Sequence, residues 1–157
     1  MRVTFMSDKL FERMKLFAET SEFIPKVTSS LKEGAAVEVC FEGDPAIYGA
    51  VKEKGRIVCS KYAPRKPQMR VTFSEGAMDY LLEPAGTDKD CIDEYVTRFG
   101  ECMLHPTPTR KVRIKTYAGI ITGFRMGYFG MLRFGGPKAL EMLSKFGIKI
   151  PKRFLGR

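Results

Sequence analysis

Residues 66–83 read KPQMRVTFSEGAMDYLLE, and this stretch decides the kind of fold that the chain can form. Apolar Met69, Val71 and Phe73 alternate with polar residues, which is the period-two pattern of a β-strand with one buried face. Ser74 follows at once, and a serine in this place is typical of a helix N-cap. A strand that leads directly into a helix predicts a domain in which helices pack on a sheet.

The same alternation recurs on both sides of this stretch. Residues 35–43 (AAVEVCFEG) read as a strand, and two further apolar runs flank KEKG at 52–55, a glycine-containing hairpin signal. Four successive strands joined by short turns predict an antiparallel meander. Residues 110–117 (RKVRIKTY) alternate in the same way and add a fifth strand.

Three segments have the apolar spacing of amphipathic helices. Residues 7–23 form the first, which Ser7 or Asp8 can cap, and a second surrounds Phe99. Residues 137–147 (PKALEMLSKFG) begin with proline and end with glycine, as a final helix would.

Together these elements predict an α+β domain. We expect a five-stranded, mainly antiparallel sheet covered on one face by helices, because an apolar sheet face must be buried. Residues 1–157 fit a single domain with a basic tail at 148–157.

Positive charge is concentrated in the last third of the chain. Residues 106–157 hold twelve Lys/Arg and one acid, for a net charge of +11, whereas residues 1–105 carry −2. This asymmetry indicates an anionic partner such as a membrane surface, a phosphate-bearing ligand or nucleic acid. A solvated face that keeps the protein soluble is the alternative.

The cysteines and the single histidine predict neither a metal site nor a disulfide framework. Cys40, Cys59, Cys91 and Cys102 form no C-x-x-C pair, and His105 stands apart from them in the sequence. We therefore expect no metal and no cofactor, with the cysteines filling core space in a reducing environment.

No membrane span or targeting segment is predicted. The opening residues turn charged at once, unlike a signal peptide, so we expect a cytoplasmic protein. Residues 119–135 are apolar, but they include Arg125 and Arg133 and fall short of the roughly 20 residues of a spanning helix.

Four glycines distinguish residues 119–134, GIITGFRMGYFGMLRF. On a helix, Gly119, Gly123, Gly127 and Gly130 share one side, although each glycine costs up to about 1 kcal/mol relative to alanine. They are explained either by close approach of another backbone or by empty volume beside an apolar cavity. The sequence leaves both explanations open.

The chain resembles the sterol carrier protein type 2 family over residues 30–135. The resemblance is carried by the strand-to-helix run 66–83, by RKVRIKTYAGI at 110–120, and by LKEGAAVEVCFEG at 31–43. It implies helices on one face of a five-stranded sheet, enclosing an apolar tunnel for fatty acyl chains, acyl-coenzyme A or sterol-like lipids.

Such a ligand needs a continuous apolar lining. The expected lining residues come from the sheet and the C-terminal helices: Val71, Phe73, Ile114, Ile120, Phe124, Tyr128, Met131, Leu140 and Leu143. Basic residues of the last third are expected to contact an anionic membrane or phosphate groups: Arg125, Arg133, Lys138, Lys145 and Lys149.

Three other functions compete with lipid binding. The sequence shows no catalytic constellation around His105, so we expect no enzyme. Basic residues interleaved with aromatics are typical of single-strand nucleic-acid binding. The basic side chains of residues 110–115, however, alternate as on any strand with a solvent-facing side, so we do not favour nucleic-acid binding. The glycine-rich side could also dock a partner or form a homodimer.

Overall fold

The computed structural model describes residues 2–83, 92–128, 130, 131 and 144, and the side chains of these residues other than 2–6, 23, 92, 93, 120 and 124. Within these ranges the chain forms five helices and five strands. The helices are α1 (Arg2–Thr20), α2 (Phe23–Val27), α3 (Glu75–Leu82), α4 (Ile92–Leu104) and α5 (Ile120–Met126). The strands are β1 (Ala36–Phe41), β2 (Ile47–Glu53), β3 (Arg56–Ser60), β4 (Met69–Phe73) and β5 (Val112–Thr116).

The strands form one mixed sheet in the order β3-β2-β1-β4-β5. Three neighbouring pairs are antiparallel, and β1 pairs with β4 in parallel. The α+β class and the five-stranded, mainly antiparallel sheet are therefore confirmed. The predicted meander is wrong, because β4 lies beside β1 and not beside β3.

The connection between β3 and β4 is long enough to allow this order. It comprises residues 61–68, which can extend about 26 Å, whereas three strand spacings amount to about 14 Å. The connection crosses the sheet at Gly49, where a Cβ would stand 2.6 Å from the carbonyl oxygen of Tyr62 and 3.1 Å from Pro64. Glycine at this position allows the chain to pass close over β2.

One face of the sheet, here called the covered face, carries the apolar side chains in three rows across the strands. Strand pairing and alternation give the members of each row. The first row contains Phe41, Phe73 and Val112. The second row contains Tyr48, Val39, Val71 and Ile114. The third row contains Cys59, Ala50, Val37, Met69 and Thr116.

Helices α1, α3 and α4 pack against the covered face. Phe11 of α1 is fully buried and stacks on Tyr48, with ring centroids 4.3 Å apart. The helices contribute these buried residues to the same core cluster: Leu10, Phe11, Ala77, Met78, Leu81, Cys102 and Met103. Helices thus cover this face as the sequence predicts.

Helix α1 begins earlier than the sequence predicts. Because the helix starts at Arg2, Ser7 and Asp8 lie inside it and neither is its N-cap. Their side chains instead bond the hydroxyl of Tyr48, with oxygen–oxygen distances of 2.9 Å to Ser7 and 2.6 Å to Asp8. Burial and the Asp8 hydrogen bond raise the pKa of Tyr48 to about 12. A buried hydroxyl needs such partners, and this tertiary contact accounts for both polar side chains.

The N-cap predicted for α3 is confirmed. The Oγ of Ser74 accepts hydrogen bonds from the backbone N–H groups of Ala77 (3.2 Å) and Lys111 (2.9 Å), and it donates to the Thr109 carbonyl (2.7 Å). At Gly76 a Cβ would stand only 2.2 Å from that same carbonyl oxygen. The strand-to-helix junction therefore requires both a hydroxyl and a glycine.

Candidate functional site

The covered face is unevenly buried: Cys59 of the third row is only 5% exposed, whereas three other apolar residues of that row are more open than the first row. Phe41 and Val112 of the first row are each only 3% exposed. In the third row Val37, Ala50 and Met69 are half-buried. We call the half-buried apolar residues of the third row, together with Ile114 of the second row, the apolar patch: Val37, Ala50, Met69 and Ile114. All four pack against the core cluster and keep part of their surface exposed, and such exposed apolar surface can accept a hydrophobic ligand.

The glycine-rich segment lies at the end of the sheet where β1 and β4 begin. The carbonyl of Met126, at the end of α5, accepts a hydrogen bond from the backbone N–H of Lys32 at 2.9 Å. The Oγ of Ser30 donates to the carbonyl of Gly127 at 2.8 Å. The segment after α5 is therefore docked on residues 30–32.

Two of its glycines are explained by close approach. Gly127 has φ +87°, and a Cβ there would meet the Ser30 carbonyl oxygen at 1.8 Å. A Cβ at Gly130 would meet the Cβ of Ser30 at 2.4 Å, whereas one at Gly119 would meet nothing within 4 Å. Of the two explanations that the sequence left open, close approach of another backbone therefore holds at Gly127, whereas Gly130 makes room for the Ser30 side chain.

Gln68 joins the docked segment to the sheet. Its Oε1 accepts hydrogen bonds from the Ala36 N–H at 2.6 Å and from the Tyr128 hydroxyl at 2.8 Å. Its backbone carbonyl accepts from the N–H groups of Tyr117 and Ala118, just after β5. Burial raises the pKa of Tyr128 to about 12. One side chain before β4 thus holds the start of β1 and the segment after α5 together.

The structure brings only some of the expected lining residues to this end. Val71 and Phe73 lie in the core cluster, each 9% exposed, and Ile114 packs half-buried at its edge. Tyr128 and Met131 are half-buried near the docked segment. The sequence did not predict four further residues at this end as part of the site: Val37, Ala50, Met69 and Gln68. The strand alternation that placed Val71 on the covered face also places Val37 and Met69 there.

Several other expected site residues have no described side chain. Ile120 and Phe124 belong to α5, whose backbone alone is described at these positions, and Arg125 is exposed in its last turn. The following expected residues lie outside the described residues: Arg133, Lys138, Leu140, Leu143, Lys145 and Lys149.

A buried lysine lies one position beyond the third row. Lys52 follows Tyr48 and Ala50 at a spacing of two on β2, so its side chain is on the covered face. It is 6% exposed, and its Nζ donates to the Thr28 carbonyl at 2.8 Å. Lys52 was not singled out from the sequence. A lysine at a position where the alternation of a strand calls for an apolar residue would have indicated a buried charge.

The opposite face of the sheet, here called the open face, is polar. Arg70 pairs with Glu38 at 3.2 Å, and Glu42 pairs with Lys111 and Arg113 at 3.1 Å each. Burial raises the pKa of the Glu38 carboxyl, but hydrogen bonds from Tyr117 and Arg70 outweigh burial and hold the pKa below its usual value. Most charges on this face are therefore matched within the protein.

A pocket of about 320 Å³ opens on this face beside the turn between β1 and β2. Its walls include Glu42, Asp44, Thr72 and Arg113. Five of its ten lining residues are charged or polar, so the pocket is poorly suited to a hydrocarbon chain.

Three of the cysteines lie among the described residues. Cys40, Cys59 and Cys102 are buried free thiols, and burial raises the pKa of Cys59 to about 11. No cluster of three or more His, Cys, Asp or Glu side chains is arranged for a metal ion among residues 2–83, 92–128, 130, 131 and 144. None of the helices described is both long and apolar enough to cross a membrane.

Comparison with known proteins gives no match for this chain. No protein-family model matches it, and neither a curated protein nor a solved structure does.

Proposed function

We propose that this protein is a non-enzymatic lipid-binding protein that holds a fatty acyl chain or sterol-like molecule between the covered face and the helices. The ligand lies at the end of the sheet where β1 and β4 begin. In this role the protein carries the lipid, or presents it to an enzyme, in the cytoplasm. The resemblance to the sterol carrier protein type 2 family supports the same class of ligand.

The apolar patch carries the proposal. Val37, Ala50 and Met69 share a face with the buried first row, yet they remain half-buried. Each Å² of apolar surface removed from water stabilises a complex by about 25 cal/mol, so a hydrocarbon chain laid over the patch gains affinity from it. The segment after α5, docked on residues 30–32, would close this end of such a site.

Basic residues of the last third supply the second part of the proposal. Arg125 is exposed at the end of α5, next to the docked segment. Near an anionic membrane each Lys or Arg contributes about 1 kcal/mol to binding, so several of them give reversible contact. Collection and delivery of lipid at such a surface require reversible contact of this kind.

The open face gives less support to nucleic-acid binding. Arg70, Lys111 and Arg113 are paired with glutamates of the same face, which reduces the charge offered to a phosphate backbone. Lys115 lies over the ring of Tyr117, with its Nζ 5.6 Å from the centroid. Salt-dependent binding of single-stranded DNA or RNA, with no lipid bound, would replace the lipid proposal.

Displacement of a fluorescent fatty acid tests the site. We expect Val37→Asp to weaken binding at least tenfold, because a carboxylate facing the hydrocarbon would lose its hydration. Val58→Asp is the matched control: Val58 is 38% exposed, and its position on β3 places it on the open face. Met69→Gln repeats the test with a neutral side chain, in case Val37→Asp does not fold.

The affinities of these variants show whether the apolar patch forms the lipid-binding site. Circular dichroism and thermal unfolding first establish that each variant is folded. Unchanged affinity in folded Val37→Asp and Met69→Gln, or equal loss in Val58→Asp, would remove the apolar patch from the binding site. Native mass spectrometry of the isolated protein provides an independent measurement, since a lipid carrier is expected to retain bound lipid.

A further inference from the structure

Lys52 places a positive charge inside the layer between sheet and helices. It lies two residues after Ala50 on β2, so the two side chains leave the covered face about 7 Å apart. Its exposed fraction is 6%, less than that of either Val71 or Phe73 in the core. The base of this side chain is therefore beside the apolar patch, and its ammonium group, at the Thr28 carbonyl, is largely shielded from solvent.

This ammonium has no counter-charge among the residues that the structure describes. Its Nζ donates to the Thr28 carbonyl, and no described carboxylate forms an ion pair with it. The nearby Glu33 is engaged elsewhere, because its two carboxylate oxygens accept the backbone N–H groups of Lys54 and Gly55, at 2.8 Å each.

Burial of an ammonium group costs several kcal/mol unless an anion or several acceptors compensate for its lost hydration. An ammonium has three N–H donors, and one acceptor satisfies only one of them. A carboxylate offers two oxygens and one negative charge, which matches the two remaining donors and the single positive charge. The tail of a fatty acid bound in this way would extend from Lys52 toward Ala50 and Val37.

We propose that Lys52 binds the carboxylate of a fatty acid whose hydrocarbon chain lies on the apolar patch. This inference rests on the proposed lipid-binding function and narrows its ligand class. Lys52 selects ionised fatty acids over neutral esters and sterols, which bring no charge to the ammonium.

Binding of hexadecanoic acid and of its methyl ester, each measured by displacement of a fluorescent lipid probe, tests the inference. We expect wild-type protein to bind the acid at least tenfold more tightly than the ester. In Lys52→Met the acid loses this advantage, while affinity for the ester stays within twofold. Lys32→Met is the matched control, because it removes the same charge from an exposed lysine nearby and should retain the preference.

The outcomes distinguish this inference from the function on which it rests. Equal affinity of wild-type protein for acid and ester overturns the role of Lys52 and leaves lipid binding intact, and this holds even if Lys52→Met does not fold. Equal loss of preference in Lys32→Met also overturns it, since a general charge effect would then be responsible. Failure of both ligands to bind wild-type protein overturns the inference and the proposed function together.

Discussion

Gly127→Ala is expected to release the segment after α5 from the rest of the domain. Alanine at φ +87° is strained by about 1–2 kcal/mol, and its Cβ would stand 1.8 Å from the Ser30 carbonyl oxygen. That oxygen belongs to the backbone, so the clash cannot be relieved by rotating a side chain. The segment must therefore move away from Ser30.

The hydrogen bonds that dock the segment set the size of the effect. Three are lost on release: Lys32 N–H to Met126, Ser30 Oγ to Gly127, and Tyr128 hydroxyl to Gln68. At about 0.5–1.5 kcal/mol each they amount to about 1.5–4.5 kcal/mol. Because release avoids any further strain, the loss in free energy of unfolding should not exceed this range.

Two measurements check this prediction. Chemical denaturation gives the loss of stability, and NMR titration of the tyrosine ring carbons gives the pKa of Tyr128. This pKa is about 12 in the docked segment because the hydroxyl is buried, and exposure should return it toward 10.0. If the segment closes the proposed lipid site, bound fatty acid should also dissociate faster from Gly127→Ala.

Gly119→Ala is the control, because a Cβ at Gly119 meets nothing within 4 Å. This variant should keep the free energy of unfolding within about 1 kcal/mol of the wild-type value. The pKa of Tyr128 should be unchanged. A Gly127→Ala protein in which Tyr128 still titrates near 12 would refute the reasoning, since the segment would then have remained docked.

Three further changes test the sheet and its ends. Gly76→Ala should lower the free energy of unfolding by about 1–3 kcal/mol in urea denaturation, because its Cβ would stand 2.2 Å from the Thr109 carbonyl oxygen; wild-type stability would contradict the tight junction. Gln68→Ala should lower the free energy of unfolding by a similar amount, since the two hydrogen bonds to its Oε1 are lost, and it should also lower the pKa of Tyr128. An unchanged pKa of Tyr128 would show that the segment after α5 docks without Gln68. The pKa of Glu38 in the folded protein is below 4.5, so its stabilising contribution is present above pH 4.5 and disappears as the pH falls through the lowered value. Glu38→Gln should therefore flatten the acid side of the stability–pH curve, and an identical acid limb would exclude the contribution.

The sequence by itself determined the elements of the fold and the faces they bury. Alternation along 69–73 and 112–116 predicted β4 and β5 correctly, and Ser74 gave the start of α3. These predictions succeed because side-chain periodicity and capping act within a few residues of the chain. The helix-covered face followed from the same local patterns.

Strand order and helix start were decided by tertiary contacts. The eight residues of 61–68 are long enough either to turn or to cross the sheet, and local preference does not choose between these paths. Pairing of β4 with β1 and the passage over Gly49 made the choice. Ser7 likewise has a capping side chain, but its hydroxyl is used by Tyr48 instead.

The candidate site depends on tertiary structure even more strongly. Glycine spacing indicated an unusual segment, but only packing shows that Gly127 and Gly130 make room for Ser30 while Gly119 does not. Alternation places Lys52 on the covered face, yet the acceptor of its ammonium is the carbonyl of Thr28, 24 residues away and just after α2. Local sequence fixes which side of a strand a residue occupies, whereas burial and charge compensation are properties of the segments that fold over it.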